Sequence, residues 1–277
     1  PVAWKDLFDL QGSVTTAGSR VYQCRVVADQ DAVAVQNAVA AGLVSVGKSN
    51  LSELAYSGLG LNPHFGTPCG STSPASSEHS AITVPGGSSS GSAIAVATGC
   101  AAIGVATDTA GSARIPAAFN GLVGLKSSSG RHSKQGVFPL SRTLDSVGII
   151  ARTVEDCALF DACLLDANAP GLYPEAAKTL QVVVDDEMLN AVVDNSVDSA
   201  SADVSLSASV RSRFEMSIAA LQAQGIEVQR RSLSSVIELR QLIRQHGWLG
   251  AAEAYSEHKQ LLHSNNAQLL DPRVRTR

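Results

Sequence analysis

The sequence predicts an α/β protein in which a central mixed, twisted β-sheet is covered by α-helices on both faces. Short apolar runs of strand length alternate along the chain with Ala- and Val-rich segments of helical period. Such alternation is typical of layered folds with a sheet in the middle. The chain has 277 residues, 44% of them apolar and 17% charged, so it is long enough to bury a large core.

The N-terminal part predicts a strand, a helix and a second strand. Pro1 to Trp4 is an apolar run, and a buried strand there would carry Lys5 at its end. Ala and Val recur at helical spacing over 31–41, and the glycine that follows ends this helix. A short strand is predicted over 43–50, then a helical turn over 51–56. The long Gly/Ser-rich loop at 58–80 is typical of a segment that walls a functional site.

The middle of the chain, 84–126, contains a Gly/Ser loop, an Ala-rich helix, a strand at Ile103 to Ala106 and a second Gly-Ser turn. If the helix returns the chain to the loop it left, Ser88 and Ser112 come together. The segment 127–153 is rich in loop-forming residues. An amphipathic helix is then predicted over Val154 to Leu165.

The composition changes after residue 166. The pattern predicts a second αβ unit, with a strand at 180–184, an acidic, Ser-rich stretch at 185–209, a helix at 211–224 and a strand at 226–229. A helix is predicted to follow over 238–262, and Gly247 and Gly250 would interrupt it. We expect residues 166–277 to continue the domain that residues 1–165 begin. The chain starts without Met and stops in a charged segment, so we expect it to be cut at both ends.

Composition argues against several classes of function. The net charge is −4 and the basic residues do not cluster, which disfavours a nucleic-acid groove. The five cysteines are odd in number and form no CxxC pair, which disfavours a disulfide framework or a zinc site and favours a reducing cytoplasm. We therefore expect no metal, and the absence of a long apolar tract disfavours a membrane span.

The Gly/Ser loop allows more than one interpretation. Its GSSSG run fits the G-x-S-x-G pattern of α/β-hydrolases with Ser89 as nucleophile, a pattern that also needs a later Asp and His. A phosphate-binding loop is disfavoured, because the lysine that reaches the phosphates is absent.

Three segments carry a more specific signal. The runs PGGSSSGSA and TDTAGSARIPAAFNGLVGLK, with the upstream PVAWKD, resemble the amidase signature family of serine amidohydrolases. The resemblance extends from Pro1 to about Leu165 and continues weakly in EAYSEHKQLL and DPRVR. It implies that residues 1–165 are the catalytic core and that the C-terminal part of the family fold is missing. It implies a Ser-cisSer-Lys triad in which Ser112 is the acylated nucleophile, Ser88 the bridging serine after a cis peptide bond, and Lys5 the base.

This triad is physically reasonable. A serine hydroxyl is a poor nucleophile until a neighbouring group takes its proton, and a neutral lysine amine can do so. Lowering a lysine pKa from about 10.4 to about 7.4 requires roughly 4 kcal/mol of destabilisation of the charged form. Burial among apolar neighbours such as Val2, Trp4 and Leu7 can supply it.

The turn before Ser112 is predicted to form the oxyanion hole. Backbone N–H groups of Thr109, Ala110 and Gly111 can converge on one point there. The family usually has glycine where Ala110 stands, and alanine would be strained by roughly 1 kcal/mol if that position required φ > 0. Asp108 and Arg114 flank the turn, and we expect them to hold it by pairing or by bonds to the backbone, with direct substrate contact as the alternative.

The resemblance implies a cofactor-free amidase that hydrolyses a linear carboxylic amide to an acid and ammonia or an amine through an acyl-enzyme. Its partner would be a small-molecule amide, without membrane or nucleic acid, and a homodimer is compatible with it. The alternatives are a glutaminase subunit of a tRNA-dependent amidotransferase, an inactive truncated family member, and the α/β-hydrolase with Ser89 as nucleophile. Substrate preference would depend on the loops at 58–80 and 132–144.

Overall fold

The computed structural model describes residues 1–71, 83–165, 180–186 and 207–276. It divides into two compact units, one made of Pro1–Leu172 and Trp248–Arg277 and the other of Tyr173–Gly247. The loop predicted at 58–80 is described as far as residue 71 and contains no helix or strand there. Most of the acidic stretch predicted at 185–209 lies outside the described residues.

A five-stranded mixed sheet forms the centre of the first unit. Its strands are β1 (Val2–Lys5), β2 (Ser45–Ser49), β3 (Ile103–Asp108), β4 (Val123–Lys126) and β5 (Ser146–Ala151). Their order in the sheet is β2-β1-β3-β5-β4. Strand β1 runs parallel to β2 and β3, whereas β5 is antiparallel to both β3 and β4. The mixed sheet predicted from the sequence is therefore confirmed.

The helices of the described residues are α1 (Val33–Ala40), α2 (Ser90–Ala97), α3 (Arg114–Phe119), α4 (Val154–Cys163), α5 (Ala208–Ala223), α6 (Ser234–His246), α7 (Leu249–Leu262) and α8 (Pro272–Arg275). Short 3-10 helices lie at Arg20–Tyr22, Glu53–Ala55 and Asn265–Leu269. None of the helices in these segments combines the length and the apolar character that crossing a membrane requires.

Helices cover both faces of the sheet. On one face, Trp4 and Ile149 belong to a buried cluster that includes Val35 of α1 and Phe160 of α4. On the other face, Ile150 packs with buried side chains of α2 and α3. Neighbouring strand residues point to opposite faces, which is why Ile149 and Ile150 enter different clusters. The two-sided cover is confirmed.

The loop prediction for 146–151 is wrong, because these residues form β5. All six are buried, and the strand pairs with β3 on one side and β4 on the other. The run SVGIIA contains Val147, Ile149 and Ile150, which favour a strand, but it stands at the end of a long stretch from residue 127 that is rich in loop-forming residues. Its strand conformation depends on neighbours that are distant in sequence, which local patterns do not reveal.

The second unit contains the predicted αβ elements. Strand β6 (Gln181–Val184) pairs in parallel with β7 (Glu227–Arg230), and α5 and α6 belong to the same unit. The helix predicted over 238–262 is two helices, α6 and α7. Gly247 separates them at a φ of 82°, a conformation that glycine adopts without strain, whereas Gly250 lies inside α7.

Candidate active site

The candidate site lies where parallel strands end. Lys5 is the last residue of β1 and Asp108 the last of β3. Because these strands are parallel, their carboxyl ends meet at one edge of the sheet, which is where open α/β sheets bind ligands.

Lys5 is fully buried at this edge. Its Nζ donates hydrogen bonds to Ser88 Oγ at 2.7 Å and to Thr107 Oγ1 at 2.8 Å. Burial lowers the Lys5 pKa from 10.5 to about 7, against the attraction of Asp145 and Asp108, which acts to raise it. The amine is thus neutral in a large fraction of molecules near pH 7.

Ser88 is buried beside Lys5, and the peptide bond between Gly87 and Ser88 is cis. Two backbone hydrogen bonds join this position to the segment 52–58. The Ser52 N–H donates to the Ser88 carbonyl at 3.0 Å, and the Gly87 N–H donates to the Gly58 carbonyl at 2.8 Å.

Ser112 stands at the second Gly-Ser turn, beside the Ser88 loop. The N–H of Ser89 donates to the Ser112 carbonyl at 3.3 Å, so the two loops are in direct contact. Ser112 is half-buried, whereas Ser88 is inaccessible. Of the two serines, Ser112 is therefore the one that a substrate can reach.

Asp108 holds the turn that leads to Ser112. Its buried carboxylate accepts hydrogen bonds from the Gly111 N–H at 2.7 Å and the Ala113 N–H at 3.2 Å. The Arg114 guanidinium adds two more, each of 3.0 Å. Burial alone would raise the pKa of Asp108, but these hydrogen bonds outweigh it and hold the pKa below its usual range. The pairing expected between Asp108 and Arg114 is present.

The backbone of the turn accommodates Ala110. Gly111 has a φ of 122°, and Ala110 is not among the described non-glycine residues with positive φ. Alanine is therefore not strained at position 110 by its backbone conformation. The N–H of Gly111 is engaged by Asp108, so its predicted role as an oxyanion donor stays a prediction.

Two side chains that the sequence did not single out support the site. Thr107 accepts a hydrogen bond from Lys5, and Asp145 accepts one from the Thr109 hydroxyl at 2.5 Å. Asp145 also accepts from the Leu140 and Ser141 N–H groups at 2.8 and 2.9 Å. Thr107 begins the TDTAGSAR run, but nothing in that run shows that its hydroxyl contacts Lys5. Asp145 is a lone aspartate in a loop, and only its position after folding reveals its contacts.

The described residues offer no support to the alternative nucleophile Ser89. Its hydroxyl is buried and donates to the Thr107 carbonyl at 3.5 Å. Within the ranges described, no histidine hydrogen-bonds to Ser89. Those ranges also hold no group of three or more His, Cys, Asp or Glu side chains arranged to hold a metal ion.

The sequence matches the model of the family described as Amidase over residues 1–277. The chain belongs to the amidase family. The sheet edge that carries Lys5, Ser88 and Ser112 therefore belongs to a chain that matches the amidase family over its whole length.

Relatives of this amidase-family chain have several activities. It is 43% identical over 169 residues to a subunit of the glutamyl-tRNA(Gln) amidotransferase of Ralstonia nicotianae, covering 61% of this chain and 32% of that protein. It is 43% identical over 156 residues to an indoleacetamide hydrolase of Pseudomonas savastanoi, covering 56% and 32% of the two. A 2-amino-5-chloromuconic acid deaminase of Comamonas testosteroni is 41% identical over 183 residues, covering 65% and 38%. The chain spans about a third of the length of these relatives.

Solved structures share the fold of the chain. A crystal structure of an amidase superposes with a TM-score of 0.81 at 31% identity, covering 100% of this chain and 57% of the other. The corresponding glutamyl-tRNA(Gln) amidotransferase subunit of Thermotoga maritima gives a TM-score of 0.75 at 26% identity, covering 94% and 55%.

Proposed function

We propose that this chain carries the catalytic centre of a hydrolase of linear carboxylic amides, with Ser112 as nucleophile, Ser88 as proton relay and Lys5 as base. The observation that carries the proposal is the buried Lys5 amine, with a pKa of about 7, placed 2.7 Å from Ser88 Oγ. A base is most effective when its pKa lies near the working pH.

In the first half of the reaction, Ser112 Oγ forms a bond to the amide carbonyl carbon. Its proton passes to Ser88 Oγ while the Ser88 proton passes to the lone pair of neutral Lys5. The negative charge that develops on the carbonyl oxygen is stabilised by backbone N–H groups of the turn at Thr109, Ala110 and Ser112. The sequence also predicts Gly111 as a donor, but its N–H donates to Asp108 in this structure, and we therefore propose the Ser112 N–H in its place.

In the second half, the carbon–nitrogen bond breaks. Lys5 returns its proton through Ser88 to the leaving nitrogen, which departs as ammonia or an amine. A water molecule then attacks the ester carbonyl of acylated Ser112, and one of its protons passes through Ser88 to Lys5. As the ester bond breaks, this proton returns through Ser88 to Ser112 Oγ. The acid leaves and all three side chains return to their starting state, so no cofactor is needed.

The test is mass spectrometry of the intact protein after incubation with a panel of amides and with a serine-directed acylating probe. We expect an adduct on Ser112, no adduct and no turnover with Ser112→Ala, and severe loss of activity with Ser88→Ala. Ser89→Ala serves as the matched control and should keep the adduct. An active Ser112→Ala protein, or dependence on Ser89 and a histidine, would contradict the proposal.

A second candidate function is the glutaminase step of a tRNA-dependent amidotransferase. It is favoured by the 43% identity to the amidotransferase subunit of Ralstonia nicotianae. The two functions differ in substrate and in partners. The glutaminase function would be supported if glutamine were the preferred amide and if other subunits co-purified stably with the protein. Hydrolysis of small amides by the protein alone would support the first.

We place the reaction in the cytoplasm. The basis is the state of the cysteines, all five of which are free in this structure, as suits a reducing compartment. A homodimer is compatible with the proposal, and size-exclusion chromatography with light scattering would test it.

A further inference from the structure

The turn that leads to Ser112 is held by two carboxylates. Asp108 holds its far side, through the N–H groups of Gly111 and Ala113. Its beginning is held by Asp145, whose Oδ1 accepts the Thr109 hydroxyl at 2.5 Å. The backbone N–H of Thr109 is one of the proposed oxyanion donors, so a single side chain joins Asp145 to that donor.

Thr109 and Asp145 meet because of the register between β3 and β5. The two strands are antiparallel, and the last residue pair of their ladder is Asp108 with Ser146. The next position in this register brings Thr109 opposite Asp145. Cross-strand neighbours have β-carbons about 5 Å apart, which is close enough for a hydroxyl group to reach a carboxylate. The contact is therefore a direct consequence of the sheet pairing.

The Asp145 carboxylate is fixed independently of Thr109. Its Oδ2 accepts hydrogen bonds from the Leu140 N–H at 2.8 Å and from the Ser141 N–H at 2.9 Å. The Lys134 ammonium donates to the Asp145 carbonyl at 3.1 Å, which also fixes the backbone at this position. An acceptor held in this way can orient the side chain that donates to it.

The same carboxylate also acts on the base. Asp145 and Thr107 line one cavity, and Thr107 is the residue whose hydroxyl accepts from Lys5 Nζ. The hydrogen bonds that the Asp145 carboxylate accepts come from uncharged groups, whereas Asp108 is paired with the Arg114 guanidinium. Asp145 is the carboxylate that acts most strongly to raise the pKa of Lys5, against the lowering by burial.

Other charged groups lie near this carboxylate. Arg142 lines the same cavity and is paired with Glu257, and Glu253 accepts hydrogen bonds from Thr143. Within the described residues, the charged groups of the neighbouring elements are Lys5 of β1, Asp108 of β3, Arg114 of α3, Lys134 and Arg142 of the loop before β5, and Glu253 and Glu257 of α7. Asp145→Asn removes one negative charge and leaves all of these in place.

We propose that Asp145 is a positioning residue of this site, which orients the oxyanion turn through the Thr109 hydroxyl and stabilises the protonated form that Lys5 takes on during the reaction. The inference rests on the proposed amide hydrolysis, because it assigns a role at the same site. Asp145 touches neither the substrate nor Ser112 in this role. It acts through Thr109 and Lys5.

The first test removes the hydroxyl group and keeps the charge. Thr109→Val should lower kcat by about tenfold or more and change KM by less than about threefold, because negative charge on the oxyanion develops only in the transition state. The acidic limb of the pH profile should stay in place, since Asp145 is intact. Thr109→Ser restores the hydroxyl group and should recover most of the lost kcat.

The second test removes the charge. Asp145→Asn should lower kcat and also move the acidic limb to lower pH by roughly half a unit or more, because Lys5 loses an attraction that raises its pKa. A turn that was only destabilised would lower activity without moving this limb. Asp29→Asn, at an exposed aspartate, is the matched control and should leave both kcat and the limb unchanged.

A titration separates this inference from the proposed function. In Ser112→Ala protein with lysine labelled by carbon-13 at Cε, the Lys5 resonance is the one that Lys5→Met removes. Its pKa should fall when Asp145→Asn is added and stay unchanged with Thr109→Val, whether or not any amide is hydrolysed. Circular dichroism checks that each variant is folded.

Two outcomes distinguish the proposals. A wild-type protein that hydrolyses amides, with a Lys5 pKa unchanged by Asp145→Asn and a kcat unchanged by Thr109→Val, would overturn the role of Asp145 and leave the amidase proposal standing. A Lys5 pKa that falls only with Asp145→Asn, in a protein that hydrolyses no amide, would support the interaction between Asp145 and Lys5 and count against the proposed function.

Discussion

At the scale of single residues, the burial of Lys5 is the decisive feature. A lysine at the end of a strand is normally solvated, but here the side chain is fully inaccessible and its amine contacts two hydroxyl groups. Desolvation destabilises the ammonium form more than Asp145 and Asp108 stabilise it. The result is an amine that can accept a proton near neutral pH.

The first prediction concerns the pH dependence of activity. Only the neutral amine can accept the Ser88 proton, so kcat/KM should fall about tenfold per pH unit below the Lys5 pKa of about 7 and level off above it. Lys5→Ala should lower kcat/KM by a factor of about 10² or more and abolish this acidic limb. Initial rates between pH 5 and 9 test the prediction, and a wild-type profile that is flat across pH 7 would contradict it.

The second prediction concerns stability. The folded-state pKa of Lys5, about 7, lies below its ordinary value of 10.5. Between these two pH values the unfolded chain therefore binds more protons than the folded protein. The free energy of unfolding consequently increases as pH rises through this range. The full effect corresponds to roughly 4 to 5 kcal/mol.

Lys5→Met removes the titrating group and keeps an unbranched chain. The difference in free energy of unfolding, Lys5→Met minus wild type, should therefore decrease from pH 7 to pH 10. Urea denaturation at a series of pH values measures it, with Lys126→Met, an exposed strand-end lysine, as control. A difference that is constant with pH would argue against a depressed pKa.

At the scale of elements, the turn between β3 and α3 depends on one carboxylate. Asp108 accepts hydrogen bonds from the backbone on both sides of Ser112 and from the Arg114 guanidinium. The Ser146 hydroxyl adds a bond to the Asp108 carbonyl at 2.8 Å, which ties the turn to β5. The orientation of Ser112 is thus set by groups that do not take part in the proposed proton transfers.

The third prediction follows from this arrangement. Asp108→Asn replaces one acceptor oxygen by an amide nitrogen that faces N–H donors, so it should destabilise the fold by roughly 3 kcal/mol and lower kcat more than it raises KM. Glu155→Gln, an exposed carboxylate in the first turn of α4, should change stability by less than about 0.5 kcal/mol. Urea denaturation and steady-state kinetics distinguish the two, and an Asp108→Asn protein as stable and active as Glu155→Gln would refute the prediction.

At the scale of the whole molecule, the first unit joins segments that are far apart in sequence. Glu53 is fully buried, and its carboxyl group accepts hydrogen bonds from the Ser19 hydroxyl and the Asp271 N–H, each at 2.6 Å. Glu253 of α7 accepts bonds from Ser141 and Thr143. The C-terminal helices are therefore fixed to the part of the unit that carries the site.

The fourth prediction tests this connection. The His64 ring also lies against the Glu53 carboxylate, with Nε2 3.0 Å from Oε1. Glu53→Gln places an amide N–H2 against one of these groups and should destabilise the protein by roughly 1 to 3 kcal/mol. Amide hydrogen exchange should become faster in peptides covering 265–276 while the central strands stay protected. Glu257→Gln is the control, since its partner Arg142 has a side chain 72% exposed and exposed ion pairs contribute little. Unchanged exchange at 265–276 in Glu53→Gln would show that the bond to Asp271 is dispensable.

The sequence by itself determined the layered α/β class and most of the strands and helices. These features are local: they depend on apolar periodicity and on helix-ending glycines within short segments. The three residues of the proposed triad were named through the resemblance of PVAWKD, PGGSSSGSA and TDTAGSAR to the amidase signature family, because a lysine at a strand end is by itself a weak signal.

Only the tertiary structure decided the rest. The strand at β5 needs β3 and β4 beside it, and the roles of Thr107 and Asp145 need contacts with Lys5 and Thr109. The low Lys5 pKa is likewise a consequence of burial. Pairing, desolvation and cavity shape are properties of residues brought together from distant positions, and no single segment of the sequence contains them.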